Sequence, residues 1–189
     1  VDAPARIPGT LEAVPIMRRV AEAFRAAGRP IVHVVRFYLP DGANVDICRR
    51  KAVEDGLAIA RPGTSGADLV ADLKPPSAGG LDGEALISGA FQSLGPNEWV
   101  MYKPRWSAFY DTSLADKLGE LGVDTLVIVG CNFPNCPRST LYDASNRDFR
   151  LALVPGAMSG LYDKGLAELT GIGVSMLSSD RVAAWLAGK

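Results

Sequence analysis

Histidine is almost absent from this 189-residue chain, whose single copy is His33. Catalytic dyads and triads that activate a serine or cysteine need a well-placed imidazole, and zinc sites usually combine several histidine or cysteine ligands at close spacing. Because His33 stands within the β-branched run 31–35, it is typical of a structural residue in or near a sheet. We therefore expect neither a metal nor a cofactor, and any nucleophile has to be activated without histidine.

Cysteine is also scarce, with three copies, Cys48, Cys131 and Cys136. An odd, sparse set is unlike the even, dense sets that staple secreted domains, so we expect free thiols in a reducing compartment. Hydrophobic runs of the roughly 20 residues that span a membrane are absent, and residues 1–8 contain no apolar signal-peptide core. These absences predict a soluble, cytoplasmic protein with no membrane partner.

The chain lacks an excess of charge of either sign, since 20 Lys and Arg residues stand against 21 Asp and Glu residues, for a net charge of -1. No global field would attract DNA, RNA or an anionic membrane surface. The glycine-rich fingerprints that cradle nucleotide phosphates are absent as well. We therefore expect a small-molecule substrate and no nucleic-acid partner.

What the chain does contain is ordinary globular composition, 48% hydrophobic and 22% charged, at a length that fits one domain. Apolar periodicity predicts five strands that alternate with helices. Strands are expected at 31–35, 98–102, 125–129, 151–154 and 174–177, and helices at 10–28, 114–121, 137–146, 163–169 and 180–186. This order predicts an α/β fold with a mainly parallel sheet between helices, whose sites form at the carboxyl ends of the strands.

Two parts of this pattern are less regular. In the first helix Thr10 is the expected cap, and Pro15 predicts that the regular helix begins only there. Residues 40–95 are rich in Gly, Pro, Asp and Ser, which predicts loops. Within them, the basic stretch 44–50 is typical of a solvated surface or a subunit contact.

The main candidate for chemistry is Cys136, between the most apolar strand and a helix. Pro137 suits the first helical position, which would make Cys136 the capping residue. Unpaired backbone N–H groups and the positive end of the helix dipole would then favour its thiolate. The alternative is a small buried apolar residue, the commonest role of a lone cysteine.

The second candidate is Lys103, which follows the strand 98–102 and so belongs to the same sheet edge as Cys136. A cation beside a thiolate stabilises its charge and can also stabilise charge in an acyl-transfer intermediate. Taken alone, Lys103 is typical of a solvated loop lysine, and only the pairing with Cys136 favours a catalytic role.

These residues carry a resemblance to a known family. The segment 103–112 (KPRWSAFYDT), the strand 122–130 (GVDTLVIVG) and the sequence from Cys136 through Arg138 and Thr140 resemble the isochorismatase-like cysteine hydrolases. That family includes nicotinamidases and N-carbamoylsarcosine amidases. The resemblance implies a three-layer αβα fold around a mainly parallel, six-stranded Rossmann-like sheet, in one hydrolase domain over residues 1–189. A homo-oligomer, dimer or tetramer, is also expected.

By the same resemblance, Cys136 corresponds to the nucleophile and Lys103 to the catalytic lysine. The family has a non-proline cis peptide whose counterpart here is the bond between Cys131 and Asn132. The backbone N–H groups of Asn132 and Cys136 would then form the oxyanion hole. The family's metal-binding members use an aspartate and two histidines, so a chain with one histidine is not expected to hold that metal.

One departure concerns the family's third catalytic residue, an aspartate at the end of a first, central strand. No apolar run of that kind occurs here, and Asp2 is not a convincing substitute. We therefore expect that the natural protein carries an N-terminal segment with an apolar strand ending in Asp. Without that strand, a gap should separate the strand 31–35 from the strand 125–129.

Five residues are predicted to shape the substrate pocket. Trp106, Phe109, Phe133 and Tyr38 would supply its walls, and Arg105 would hold a substrate carboxylate. Core packing would account equally for Trp106 and Phe109, an exposed strand end almost as well for Tyr38, and surface solvation for the arginine.

The sequence thus predicts a cysteine-dependent hydrolase of a small carboxamide or related C–N bond, acting through a thioester. One alternative is an isochorismatase-type hydrolase of a vinyl ether, whose acid catalysis needs no cysteine. Another is a non-catalytic thiol sensor or binding subunit that keeps the fold and the reactive Cys136.

Overall fold

The protein is described by a computed structural model over residues 7–188. The helices are α1 (Thr10–Ala26), α2 (Ile47–Glu54), α3 (Gly83–Ile87), α4 (Leu114–Glu120), α5 (Cys136–Ser145), α6 (Asp163–Gly171) and α7 (Val182–Leu186). The strands are β1 (Ile31–Val35), β2 (Gln92–Gly95), β3 (Glu98–Tyr102), β4 (Thr125–Gly130), β5 (Arg150–Met158) and β6 (Ser175–Met176). Within this range, no helix combines the length and apolar character needed to cross a membrane.

The strands form two three-stranded sheets, in the orders β1-β3-β2 and β4-β5-β6. β1 and β3 are parallel, as are β4, β5 and β6, which confirms the α/β class with parallel strands between helices. The expectation of one six-stranded sheet is corrected, because residues 7–188 form two separate sheets. Sequence patterning also missed β2, a short strand antiparallel to β3 that closes a hairpin through Asn97 at a positive φ of 55°.

Each of the two sheets has an unpaired edge at β1 or β4 within the described chain. β1 pairs with β3 and β4 pairs with β5, and within the described chain the other edge of each carries no ladder partner. The exposure agrees, since Val34 is 37% exposed and all six β4 residues are only half-buried. A parallel strand as apolar as β4 is normally buried on both faces. Among residues 7–188, β1 and β4 do not pair with each other, as predicted, and the gap between them stays a prediction.

Helices cover both faces of the second sheet. Side chains alternate across a strand, so Val127 and Val129 pack with α1 and α7 while Leu126 and Ile128 pack with α4 and α5. This places α1 and α7 in one layer and α4, α5 and α6 in the other. The carboxyl end of β4 leads directly into the loop before α5, which positions Cys136 at the sheet edge.

Two local predictions need correction. α1 begins at Thr10 after Gly9 in a left-handed conformation (φ 76°), so Thr10 is not its cap and Pro15 lies inside the helix. Pro15 is tolerated because it and Leu11, whose carbonyl loses its helical partner, are on the exposed side, where water can replace the bond. The expected loop region holds α2, α3 and β2, short elements ordered by burial of residues such as Leu86 and Leu94.

A buried carboxylate joins α1 to the first sheet. Glu98, 2% exposed, accepts hydrogen bonds from Arg25 Nε at 2.8 Å and Nη2 at 2.7 Å, and its Oε1 lies 2.6 Å from His33 Nε2. Burial alone would raise the pKa of Glu98, but the hydrogen bonds from Arg25 and His33 outweigh it and hold the pKa below its usual value. Burial lowers the pKa of His33, which takes the structural role predicted for it.

This arrangement predicts that stability falls on mild acidification. The folded-state pKa of His33 lies below 6.5, so below that pH the unfolded chain binds more protons than the native one. The contribution of Glu98 is lost at lower pH, as the pH falls through its depressed pKa. Urea titrations should therefore show a decreasing free energy of unfolding from pH 7 to about pH 5, and His33→Gln should flatten the decrease. An equal slope in both proteins would contradict this assignment.

Candidate active site

Lys103 lies where β3 ends. Its backbone N–H donates to the carbonyl of Val35, the last residue of β1, at 3.1 Å, which extends the β1–β3 pairing one residue past the end of β3. Its side chain is buried, with the residue 4% exposed, and Nζ donates to the backbone carbonyl of Trp106. The lysine is therefore held at the sheet edge, as predicted, but inside the protein.

Cys136 is the first residue of α5, and Asn135 precedes it as the capping residue. The expectation that Cys136 caps the helix is thus corrected by one position, because a proline fits anywhere in a first turn whose N–H groups have no helical acceptor. The expected cis peptide between Cys131 and Asn132 is confirmed. Within residues 7–188, the backbone N–H groups of Asn132 and Cys136 find no acceptor, which leaves both available to a ligand.

Lys103 and Cys136 form an electrostatic pair. Burial lowers the pKa of Lys103, whereas the neighbouring Cys136 sulfur opposes that shift by favouring the ammonium form. Cys136 is half-buried, so its sulfur is partly shielded from water while remaining accessible. In such surroundings an ammonium group stabilises an adjacent thiolate more strongly than it would in water.

Thr140 connects α5 to the loop that follows β3. Its hydroxyl donates to the carbonyl of Cys136 at 2.8 Å and accepts the backbone N–H of Ala108 at 3.0 Å. One side chain therefore links the first turn of α5 to the loop that follows Lys103. Thr140 belongs to the motif that carried the family resemblance, but its positioning role becomes visible only in the structure.

Beside this pair lies an arginine cluster, formed by Arg36, Arg49 and Arg105. The Arg36 guanidinium lies 4.9 Å from the ring centroid of Tyr38 and 4.7 Å from that of Trp106. Of the five predicted pocket residues, Tyr38, Arg105 and Trp106 are thus brought together beside Lys103.

Asp46 is the carboxylate of this cluster. Arg36 Nη2 donates to its Oδ2 at 2.7 Å, and Arg105 Nε lies 3.7 Å from its Oδ1. Sequence patterning missed Asp46 and Arg49, because the stretch 44–50 has the composition of a solvated loop. Its two hydrophobic neighbours gave no consistent signal, because Val45 is 0% exposed and Ile47 is 82% exposed.

Two of the residues predicted to form the pocket wall, Phe109 and Phe133, are buried in the protein. The Phe109 ring is 4% exposed and stacks on Phe149 in the core, and Phe133 is fully buried against Tyr162. The structure shows both rings packed in the core, and their role as pocket walls stays a prediction. Asp2, considered above as a catalytic carboxylate, lies outside the described residues.

The family model for the isochorismatase domain matches residues 1–179. The chain belongs to the isochorismatase family. A solved isochorismatase family protein from Desulfovibrio vulgaris superposes with a TM-score of 0.80 at 29% identity, covering 98% of this chain and 90% of that one. The resemblance found in the sequence is thereby confirmed.

Two curated relatives of this isochorismatase-family chain are each 31% identical to it. One is a probable inactive nicotinamidase of Arabidopsis thaliana, matched over 76% of this chain and 65% of its own length. The other is the maleamate amidohydrolase of Pseudomonas putida, matched over 80% of this chain and 62% of its own length. The chain thus spans slightly less than two thirds of either relative.

If Lys103 supports a thiolate at Cys136, the order of the three cysteines by reactivity should differ from their order by exposure. Cys48 and Cys131 are exposed, whereas Cys136 is half-buried, so access alone would make Cys136 the slowest to react. We predict that iodoacetamide at neutral pH modifies Cys136 first, as measured by peptide mass spectrometry over time. Protection of Cys136 until the protein unfolds would contradict an activated thiol.

The contribution of Lys103 is tested by Lys103→Met, with Lys164→Met, whose side chain is 84% exposed, as the control. Loss of the adjacent cation should slow the alkylation of Cys136 by about tenfold, and the control should leave it unchanged. Equal alkylation rates of Cys136 in the two variants would contradict the claim that Lys103 activates this cysteine.

Proposed function

We propose that the protein hydrolyses a small carboxamide, or a related C–N bond, through a thioester on Cys136. The observation that carries this proposal is the placement of Cys136 at the start of α5, near the buried Lys103, with two backbone N–H groups that find no acceptor among residues 7–188. A nucleophile, a supporting cation and an oxyanion site are the parts that acyl transfer requires.

In the proposed reaction the sulfur of Cys136 attacks the carbonyl carbon of the amide. The carbonyl oxygen becomes an oxyanion held by the N–H groups of Asn132 and Cys136. The C–N bond breaks as the nitrogen takes up the proton released by the thiol, and ammonia or an amine leaves. Water then attacks the thioester, releasing the carboxylic acid and regenerating the thiol. Lys103 stabilises the thiolate at the beginning and end of this cycle.

We further propose that another strand fills the gap between β1 and β4 and joins the two sheets into one mainly parallel sheet. The unpaired edges and the half-exposed β4 support this. Unpartnered backbone groups in a buried sheet cost about 1 to 3 kcal/mol each, so an open gap is unfavourable. Such a strand would end beside Lys103 and Cys136, where a terminal aspartate can carry the proton to the leaving nitrogen.

A non-catalytic thiol protein is the second candidate. Asp46, a carboxylate close enough to act on Lys103, is occupied by Arg36, which leaves it poorly suited to proton transfer. The relative named as a probable inactive nicotinamidase is consistent with this candidate. A vinyl ether hydrolase is less well supported, because its acid catalysis makes no use of a cysteine at a helix start.

Ammonia release from a panel of small amides distinguishes these candidates. The panel includes maleamate, named for one relative, together with nicotinamide and N-carbamoyl amino acids. We expect turnover of at least one amide, and a loss of about 1,000-fold or more in Cys136→Ala because the nucleophile is removed. Cys48→Ala is the matched control and should retain activity. Turnover that survives Cys136→Ala would contradict the mechanism.

A further inference from the structure

The arginine cluster holds more positive charge than its one carboxylate neutralises. Asp46 is the single acidic side chain in ion-pair contact with the three guanidinium groups among residues 7–188. Arg49 has no carboxylate partner in that range and instead donates from Nη1 to the hydroxyl of Tyr38 at 2.9 Å. A concentration of uncompensated cations beside a half-buried cysteine attracts an anion.

Arg36 adds a specific structural reason. Its side chain is 9% exposed, and its Nη2 is satisfied by Asp46 and by the carbonyl of Pro104 at 3.1 Å. Its Nε and Nη1 are buried without any hydrogen-bond partner in the described chain, as is Oδ1 of Asp46. Buried guanidinium N–H groups without acceptors are unfavourable, so this arrangement is expected to be completed by an acceptor, with local adjustment of the side chains.

The cluster connects directly to the catalytic pair through Trp106. The Trp106 carbonyl accepts from Lys103 Nζ, and its ring lies 4.7 Å from the Arg36 guanidinium and 5.1 Å from that of Arg49. Tyr38 provides a second connection. Its hydroxyl accepts a hydrogen bond from Arg49 Nη1 at 2.9 Å, its ring centroid lies 4.9 Å from the Arg36 guanidinium, and Cys136 is close enough to act on it.

Arg49 is the cluster member best placed to meet a ligand. It is half-buried on α2, with its guanidinium held 5.1 Å from the ring centroid of Trp106 and 5.5 Å from that of Tyr38. Stacking on two rings fixes the guanidinium plane while leaving its remaining N–H groups available. Arg105, predicted from sequence for this role, instead directs Nη1 to the carbonyls of Asn44 and Pro104, at 3.2 and 2.8 Å.

We propose that Arg49, backed by Arg36, binds a carboxylate of the substrate, so that the substrate class is a short acid carrying a carboxamide or carbamoyl group. This rests on the proposed amide hydrolysis. A planar guanidinium fork matches a carboxylate in a bidentate manner, which orients the substrate as well as attracting it. Neutral amides lack this anchor and are poor substrates.

The first test does not depend on turnover. Iodoacetate carries a carboxylate and iodoacetamide does not, so the ratio of their alkylation rates at Cys136 reports anion binding beside the sulfur. We expect Arg49→Met to lower this ratio by about tenfold, the loss typical of one charge-assisted contact. Arg150→Met, on a side chain 77% exposed at the opposite end of β5, is the matched control and should leave the ratio unchanged. An unchanged ratio in Arg49→Met overturns the proposal.

The second test uses turnover of maleamate and of its neutral methyl ester. Arg49→Met should reduce kcat/KM for the anion by tenfold or more and leave the ester nearly unaffected, with Arg49→Lys intermediate because it keeps charge without the fork. Equal losses for both compounds overturn the carboxylate assignment. If neither compound nor any other amide is hydrolysed, the proposed function fails, while the alkylation ratio still decides whether the anion site exists.

Discussion

The carboxyl end of β3 meets the amino end of α5, and the rest of the site depends on this junction. It places the buried amine of Lys103 near the Cys136 sulfur. Burial disfavours the charged form of Lys103, and the neighbouring sulfur favours it. The ladder bond from Lys103 to Val35 and the two hydrogen bonds of Thr140 hold the junction from both sides. The arginine cluster is then attached through Trp106, three residues beyond Lys103. Cys136, Lys103 and the arginine cluster are therefore positioned by one sheet edge.

The junction lies close to two strands, β1 and β4, that each have one edge without a ladder partner among residues 7–188. β4 leads to Cys136, and β1 pairs with β3, the strand that leads to Lys103. The strand proposed between β1 and β4 would complete the backbone hydrogen bonding of both sheets and place its last residues beside Lys103 and Cys136. The stability of the fold and the completeness of the site are thus linked through the same missing hydrogen bonds.

Much of this arrangement follows from local sequence. The bounds of β1 and β3 were predicted correctly, because a short apolar run bounded by turn residues specifies a strand. Lys103 and Cys136 could be assigned to one edge because parallel strands place their carboxyl ends together. The contact of Arg36 with Asp46 could not, because it joins a strand end to a loop of unremarkable composition. The burial of Phe109 and Phe133 could not be predicted for a related reason, since burial in a core and lining of a pocket select the same side chains.

The central claim is that Cys136 becomes acylated during amide hydrolysis. It is tested most directly by acid-quenching the protein with a slowly hydrolysed amide and measuring intact and peptide masses. The account predicts a mass increase equal to the acyl group, confined to the peptide containing Cys136, reversed by hydroxylamine and absent in Cys136→Ala. Turnover of the amide with no such adduct, or an adduct on Cys48 or Cys131 instead, would contradict it.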